Sequence, residues 1–279
     1  GIYAVPLYAI IQHRAESGHK SQMIAANNIL NALFLVLVSV LSIIILSVFG
    51  WSLQALIALL LGVHLAISLY IFTVVPEFIM RCLVILIVAC CYRLRVCGRD
   101  NIPRSGAAII ACNHISYMDA LILMVAIRRP LRFIMYYKIF RIPVLRYIFK
   151  SARAIPIAGR SEDAALFRQS FEDVHTALAD GDIVAIFPEG ELTRDGEIGV
   201  YRRGIEKMLE RDPVPVIPVA IDNLWGSLFS HAGGLMKGGP RKWFARIDVL
   251  IGTPLPPETD AATLQAETQA LLAAQKTRG

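Results

Sequence analysis

From Ser21 to Pro76 the chain runs for 56 consecutive residues without one Asp, Glu, Lys or Arg. Within this stretch two windows, Ile29–Phe49 and Leu53–Val75, contain 21 and 23 residues. Roughly 20 apolar residues suffice for a helix to cross a bilayer. Gly50-Trp51-Ser52 separates the windows, so the pattern predicts a tight transmembrane hairpin. A pair of buried core helices is the alternative, but charge-free windows of this length are the mark of membrane spans. His64, inside the second window, marks either a polar path or a helix-packing contact.

The rest of the chain has an ordinary charge content. Residues 1–92 hold three basic and two acidic groups, and residues 93–279 hold 25 and 20. A hydrophobic content of 56% and a mean hydropathy of +0.55 therefore reflect the first third. They exclude a disordered chain and disfavour an ordinary soluble enzyme. Cys82–Tyr92, flanked by Arg81 and Arg93, is too short to span and predicts an interfacial helix. Four regions follow: a hairpin over 1–76, an interfacial helix over 77–92, a globular domain over 93–256, and a helical tail over 257–279. Arg14 and Lys20 precede the first window, while Arg81, Arg93 and Arg95 follow the second. By the positive-inside tendency the large domain faces the cytoplasm. The opening residues show no basic leader of a signal peptide, and the start at Gly1 reads as a cut from something longer. Five cysteines without a C-x-x-C spacing predict neither a disulfide framework nor a metal site.

After Arg93, short β-type runs alternate with helical ones. Arg93–Cys97, Ala107–Cys112, Arg132–Tyr136, Ala154–Ala158, Asp182–Phe187, Pro215–Ile221 and Arg246–Ile251 read as strands. Tyr117–Ile127, Glu162–Ala179, Tyr201–Glu210 and Ala262–Gln275 read as helices. This alternation predicts an α/β domain with a mixed or largely parallel sheet flanked by helices.

Two segments carry candidate chemistry. Ala107–Cys112 delivers Asn113 and His114 to a strand end, the usual place for a site in an open α/β sheet. Asp119 lies five residues beyond His114, a spacing at which two side chains diverge on one continuous helix. They meet if His114 is in the loop and Asp119 is in the first helical turn. Ser116-x-x-Asp119 supports that placement as a capping box, with Ser116 as N-cap. The same pattern leaves open that Asp119 only caps a helix. A His backed by a carboxylate is suited to taking a proton from a hydroxyl. Ser116 is needed as a cap and Cys112 points into the core, so the hydroxyl is expected from the substrate. The second segment, Phe187-Pro188-Glu189-Gly190-Glu191-Leu192-Thr193-Arg194, also follows a strand. Alone it reads as an ordinary loop.

Between Arg128 and Arg160 there are nine Lys or Arg and no acid, interleaved with Phe133, Tyr136, Tyr137, Phe140, Tyr147 and Phe149. Nucleic acid is one partner for such a surface, but beside a membrane hairpin anionic lipid headgroups fit better.

Asn113-His114-x4-Asp119, then Phe187-Pro188-Glu189-Gly190, then Val214-Pro215-Val216-Ile217-Pro218-Val219 resemble, in this order, the glycerolipid acyltransferase family, of the bacterial lysophosphatidic acid acyltransferase type. The resemblance runs from about Arg93 to Pro256. It implies that His114 is the general base on the glycerol hydroxyl of a lysophospholipid and that Asp119 orients it. It further implies that Glu189, Gly190, Thr193 and Arg194 bind the acceptor. The acyl donor would be a thioester of coenzyme A or acyl carrier protein, with no bound cofactor and no metal. The expected setting is the bacterial inner membrane. Two departures stand out: Glu191-Leu192 interrupts the family's Phe-Pro-Glu-Gly-Thr-Arg, and Ala154–Ala158 lacks the arginine that often ends that strand. Arg160 or Arg153 is the expected replacement. Both departures are closer to the branch fused behind a transporter and acting on lysophosphatidylethanolamine. Consistently, Pro6–Leu33 resembles the last segments of a major-facilitator transporter. A lipid transporter fragment with a non-catalytic lipid-binding module, and a thioester hydrolase, are the competing readings.

Overall fold

The computed structural model describes residues 20–74, 76–142, 146, 149, 150, 152–227, 229 and 244–277. Most of the transporter-like segment before Lys20, and Arg14 with it, lies outside the described residues, as does part of the basic stretch after Ile142. The chain divides into two compact units, Gly1–Ile79 and Met80–Gly279.

In the first unit, α1 (Lys20–Ser47) and α2 (Leu53–Val74) are joined through Gly50, whose φ of +64° lets the chain reverse. Ser52 caps the second helix, its Oγ accepting from the backbone N–H of Ala55 at 3.2 Å. Both helices are long and apolar enough to cross a membrane. Phe34, Leu35, Leu61 and Leu65 are all more than half exposed. That length and composition suit a membrane span.

In the second unit a seven-stranded sheet has the order β1-β7-β6-β2-β5-β3-β4. Its strands are β1 (Tyr92–Cys97), β2 (Ala108–Cys112), β3 (Leu131–Tyr136), β4 (Ile155–Ile157), β5 (Ile183–Ile186), β6 (Val216–Asp222) and β7 (Ala245–Ile251). Every pairing is parallel except β6 with β7. All seven expected strands form, with ends shifted by one residue at most sites. The helices are α3 (Pro76–Cys91), α4 (Asp119–Ala126), α5 (Ala164–Ala179), α6 (Gly204–Arg211) and α7 (Ala261–Lys276).

β2 is central and buried throughout, so alternate residues serve two cores. Ala108, Ile110 and Cys112 join Phe133, Ile217, Val219 and Ile247 under α3 and α4. Ile109 and Ala111 join Val184, Val216, Val174, Ile205, Met208 and Leu264 under α5, α6 and α7.

α3 runs to Cys91 and Tyr92 already opens β1, so the helix stops one residue short of its expected end. Val84 and Val88 are buried in the core, while Leu83, Ile85 and Leu86 are exposed. Arg81 donates to the carbonyls of Ile127 and Arg128, at 3.1 and 2.8 Å, so it serves the fold. The Arg128–Arg160 stretch is not one lipid-facing surface. Phe133 is core, Arg129 donates to the carbonyls of Pro103, Gly106 and Gly181, and Arg132 pairs with Asp182.

Where β2 stops, Asn113 extends its pairing by side chain. Its amide oxygen accepts from Ile221 N at 2.8 Å and its amide nitrogen donates to Ile221 O at 3.1 Å. Asn113→Ala leaves both buried backbone groups of Ile221 without these partners, each worth about 1–3 kcal/mol. We expect a loss of about 2–4 kcal/mol in denaturant unfolding; an unchanged midpoint would contradict this account of the β2–β6 junction.

Candidate active site

The carboxyl ends of β2 and β5 lie side by side, since Ala111 pairs with Ile186. Three residues beyond each stand His114 and Glu189, and they meet. Glu189 Oε1 accepts from the backbone N–H of His114 at 2.8 Å. Glu189 Oε2 accepts from Gly199 N at 2.9 Å. A Cβ on Gly199 would stand 2.8 Å from that oxygen, so only glycine allows the approach. Burial raises the Glu189 carboxyl above its ordinary range, and these two N–H donors oppose the rise.

His114 is fixed from four sides. Its backbone N–H is held by Glu189, and its carbonyl accepts from Thr193 N at 2.9 Å. Its ring stacks on Phe187 with centroids 4.1 Å apart and planes 16° from parallel. Its Nδ1 lies 2.7 Å from Asp119 Oδ2. The same oxygen accepts from the backbone N–H groups of Ile115 at 2.7 Å and Ser116 at 2.9 Å. Asp119 is fully buried, and Oδ1 has no hydrogen-bond partner among the described residues. Burial pushes this carboxyl up, while His114 and the two N–H groups pull it down. An ionised Asp119 sets the Nδ1–H tautomer, which leaves Nε2 with a lone pair. His114 is about a quarter exposed, so that lone pair has an approach.

Neither side chain nearby is free to act as a nucleophile. Ser116 Oγ donates to Phe229 O at 2.9 Å and accepts from Met118 N at 3.2 Å. The Cys112 thiol is buried in the core, which raises it well above its usual range.

The expected cap changes. Ser116 is not the N-cap: α4 starts at Asp119 behind Met118, and half of the capping box remains as the Asp119–Ser116 N–H bond. Capping and orienting thus coexist in one carboxylate. Glu189 has both oxygens on backbone N–H groups, so it braces the turn that carries His114. Thr193 is buried and its hydroxyl closes its own loop, accepting from Gly196 N at 3.1 Å and facing Glu197 O at 2.8 Å. Arg194 is 84% exposed and reaches Glu191 at 3.3 Å. Arg160 follows β4 on the carboxyl edge and is exposed, but β4 lies three strands from β2, about 14 Å away. Arg153 precedes β4, away from the carboxyl edge. Arg202, which no motif singled out, lies with its guanidinium against Gly190. No group of three or more His, Cys, Asp or Glu suited to a metal occurs among the described residues.

Residues 93–222 match the family described as Acyltransferase. The chain is 30% identical over 138 residues to a 1-acyl-sn-glycerol-3-phosphate acyltransferase of Borreliella burgdorferi, covering 47% of this chain and 52% of that one. It is 24% identical to the chloroplastic 1-acyl-sn-glycerol-3-phosphate acyltransferase LPAT1 of Arabidopsis thaliana, over 53% of this chain and 41% of that one. The chain therefore spans about half the length of these relatives, or less. Among solved structures, the 1-acyl-sn-glycerophosphate (LPA) acyltransferase PlsC of Thermotoga maritima shares the fold, with a TM-score of 0.53 and 18% identity over 66% of this chain and 73% of that one.

Asp119→Asn separates structure from chemistry. The amide oxygen still accepts from Ile115 and Ser116, while tautomer control of His114 is lost, so activity should fall by about 10²–10⁴. Because the folded Asp119 carboxyl sits above its ordinary 3.8, its burial favours the folded state below that value. That favour is lost as pH rises through the raised range. The stability of Asp119→Asn relative to wild type should therefore rise as the pH climbs from acid to neutral in unfolding titrations. The opposite trend would show that the carboxylate charge stabilises the fold.

Proposed function

We propose that this chain is a membrane-bound O-acyltransferase. It moves a fatty acyl group from a thioester, acyl-CoA or acyl carrier protein, to the free glycerol hydroxyl of a lysophospholipid. The observation that carries this reading is the His114–Asp119 pair, held at 2.7 Å with the His114 side chain about a quarter exposed, beside a serine and a cysteine both engaged elsewhere. A base with no free serine or cysteine beside it among the described residues suits a reaction in which the substrate brings the hydroxyl. The match over residues 93–222 and the named activities of the relatives support the same class.

In this mechanism His114 Nε2 takes the proton of the acceptor hydroxyl as its oxygen attacks the thioester carbonyl. Asp119 stabilises the imidazolium that forms. The tetrahedral intermediate collapses with cleavage of the carbon–sulfur bond. The proton on His114 passes to the departing thiolate, which restores the neutral base and leaves an ester and a free thiol. The acceptor is lysophosphatidic acid or lysophosphatidylethanolamine. Such acceptors reside in a bilayer, which is where α1 and α2 would hold the domain. The basic residues flanking the two helices favour a cytoplasmic domain at a bacterial inner membrane.

His114→Ala in purified membranes, given a panel of lysophospholipids with acyl-CoA and acyl carrier protein donors, tests the proposal by mass spectrometry of products. Diacyl product should drop by at least about 10². Undiminished product would refute the assignment, and free fatty acid formed without acceptor would make the chain a hydrolase.

A further inference from the structure

The chain leaves β6 by a short path that touches both segments carrying the site. Asn223 turns it with a φ of +63°, a left-handed conformation that Asn tolerates. Its backbone N–H donates to Asp222 Oδ1 at 2.8 Å and its side-chain amide to Asp248 Oδ2 at 3.3 Å. Leu224 is then fully buried in the core, and its carbonyl accepts from Ser227 N at 3.1 Å. From this anchored turn Trp225, Ser227 and Phe229 reach three different elements.

Trp225 meets the loop after β5. A Cβ on Gly196 would stand 2.9 Å from Cγ and Cδ2 of the indole and 3.0 Å from Cδ1. These are atoms of a rigid ring next to its own Cβ, and the ring packs against the core, so it cannot swing aside as a chain end would. Gly196 takes a φ of +92°, and its N–H donates to Thr193 Oγ1 at 3.1 Å. Thr193 N in turn holds the His114 carbonyl at 2.9 Å. Phe229 reaches the other segment directly: its carbonyl accepts from Ser116 Oγ at 2.9 Å, and the Ser116 N–H is one of the donors to Asp119 Oδ2. Ser227 Oγ, fully buried, lies 3.4 Å from the hydroxyl of buried Tyr92 and ties the path to the start of β1.

We infer that the segment leaving β6 positions the base, and that Trp225 is a positioning residue: its indole sets the level of Gly196 and, through Thr193, the placement of His114. The inference rests on the proposed acyltransferase reading. Trp225 lies beyond residue 222, where the family match ends, so neither motif includes it. A misplacement of about 1 Å can cost about 10² in rate, so a contact remote from the chemistry is enough to govern kcat. Substrate affinity is left alone, because Trp225 acts on the base rather than on either substrate.

The test is steady-state kinetics of the full chain in membranes with lysophosphatidic acid and acyl-CoA, with kcat referred to the folded fraction. Trp225→Met keeps an apolar side chain and removes the flat ring. It should lower kcat about 10–100-fold while both KM values stay within about twofold. Trp225→Phe should recover most of the loss. Ser116→Ala cuts the link to Phe229 while leaving the backbone donors of Asp119, and should lower kcat about tenfold. Thr193→Val removes the hydroxyl that takes the Gly196 N–H. Because Trp225 acts through that hydroxyl, Trp225→Met with Thr193→Val should be about as slow as the slower single variant, not slower by the product of the two. An unchanged kcat in Trp225→Met, a loss that Phe does not relieve, a raised KM as the main effect, or losses that multiply would each overturn the inference. So would a lower unfolding midpoint with normal kcat per folded molecule, which marks a purely structural brace. Should Trp225→Met fail to accumulate, Ser116→Ala decides, and an unchanged kcat there overturns the inference. If wild-type protein acylates no lysophospholipid, the acyltransferase reading fails and takes this one with it. Transfer by the wild type with an unaltered kcat in Trp225→Met removes this inference alone.

Discussion

A single carboxylate oxygen, Asp119 Oδ2, organises the site. It gathers the Nδ1 of His114 and the backbone N–H groups of Ile115 and Ser116, all within 2.9 Å. A buried carboxylate is costly unless hydrogen bonds compensate it. The three donors converge because the chain leaves β2 in a turn rather than running directly into a helix. The turn therefore offsets part of that cost, and the carboxylate in turn holds the turn. His114 gains its tautomer and orientation from that mutual arrangement, so the geometry of catalysis is built into the folding of one short segment.

Glu189 extends this support to the neighbouring strand. Its two oxygens tie His114 to Gly199, and Thr193 N returns a bond to His114 O. Segments after β2 and β5 are thereby laced together across the parallel junction at the centre of the sheet. The loop that carries Gly199 is anchored in its turn by α7, where Gln265 Oε1 accepts from Tyr201 N at 3.1 Å. A site assembled from loops thus rests on three regular elements, which is how loop residues keep catalytic precision.

Much of this was legible in the sequence, for definable reasons. The strands stand out because Ile- and Val-rich runs such as Ile183–Ile186 and Val216–Asp222 are bounded by Gly, Pro and Asp. The meeting of His114 and Asp119 follows from a strand end plus a helix start. What escaped was set by three-dimensional competition for hydrogen bonds. Ser116 looked like an N-cap, but the carbonyl of Phe229, 113 residues away in sequence, takes its hydroxyl proton. Thr193 looked like a ligand, yet its hydroxyl is used within its own loop. Arg202 escaped because its place beside Gly190 depends on a loop returning over Pro188. The Arg202-Arg203 doublet ahead of Gly204 was the one available hint. The basic stretch after Arg128 misled because sequence does not reveal which cations are already spent on carbonyls and carboxylates.

The central claim is that the buried Asp119 carboxylate holds His114 as an Nδ1–H tautomer with a free Nε2. Nitrogen-15 NMR of histidine-labelled protein measures this directly. The chain has six histidines, and the His114 signals can be assigned by their loss in His114→Gln. At neutral pH a protonated Nδ1 and an unprotonated Nε2 are expected for His114, with that pattern lost in Asp119→Asn. A His114 that carries its proton on Nε2 in the wild type would contradict the account, because no base would then face the acceptor.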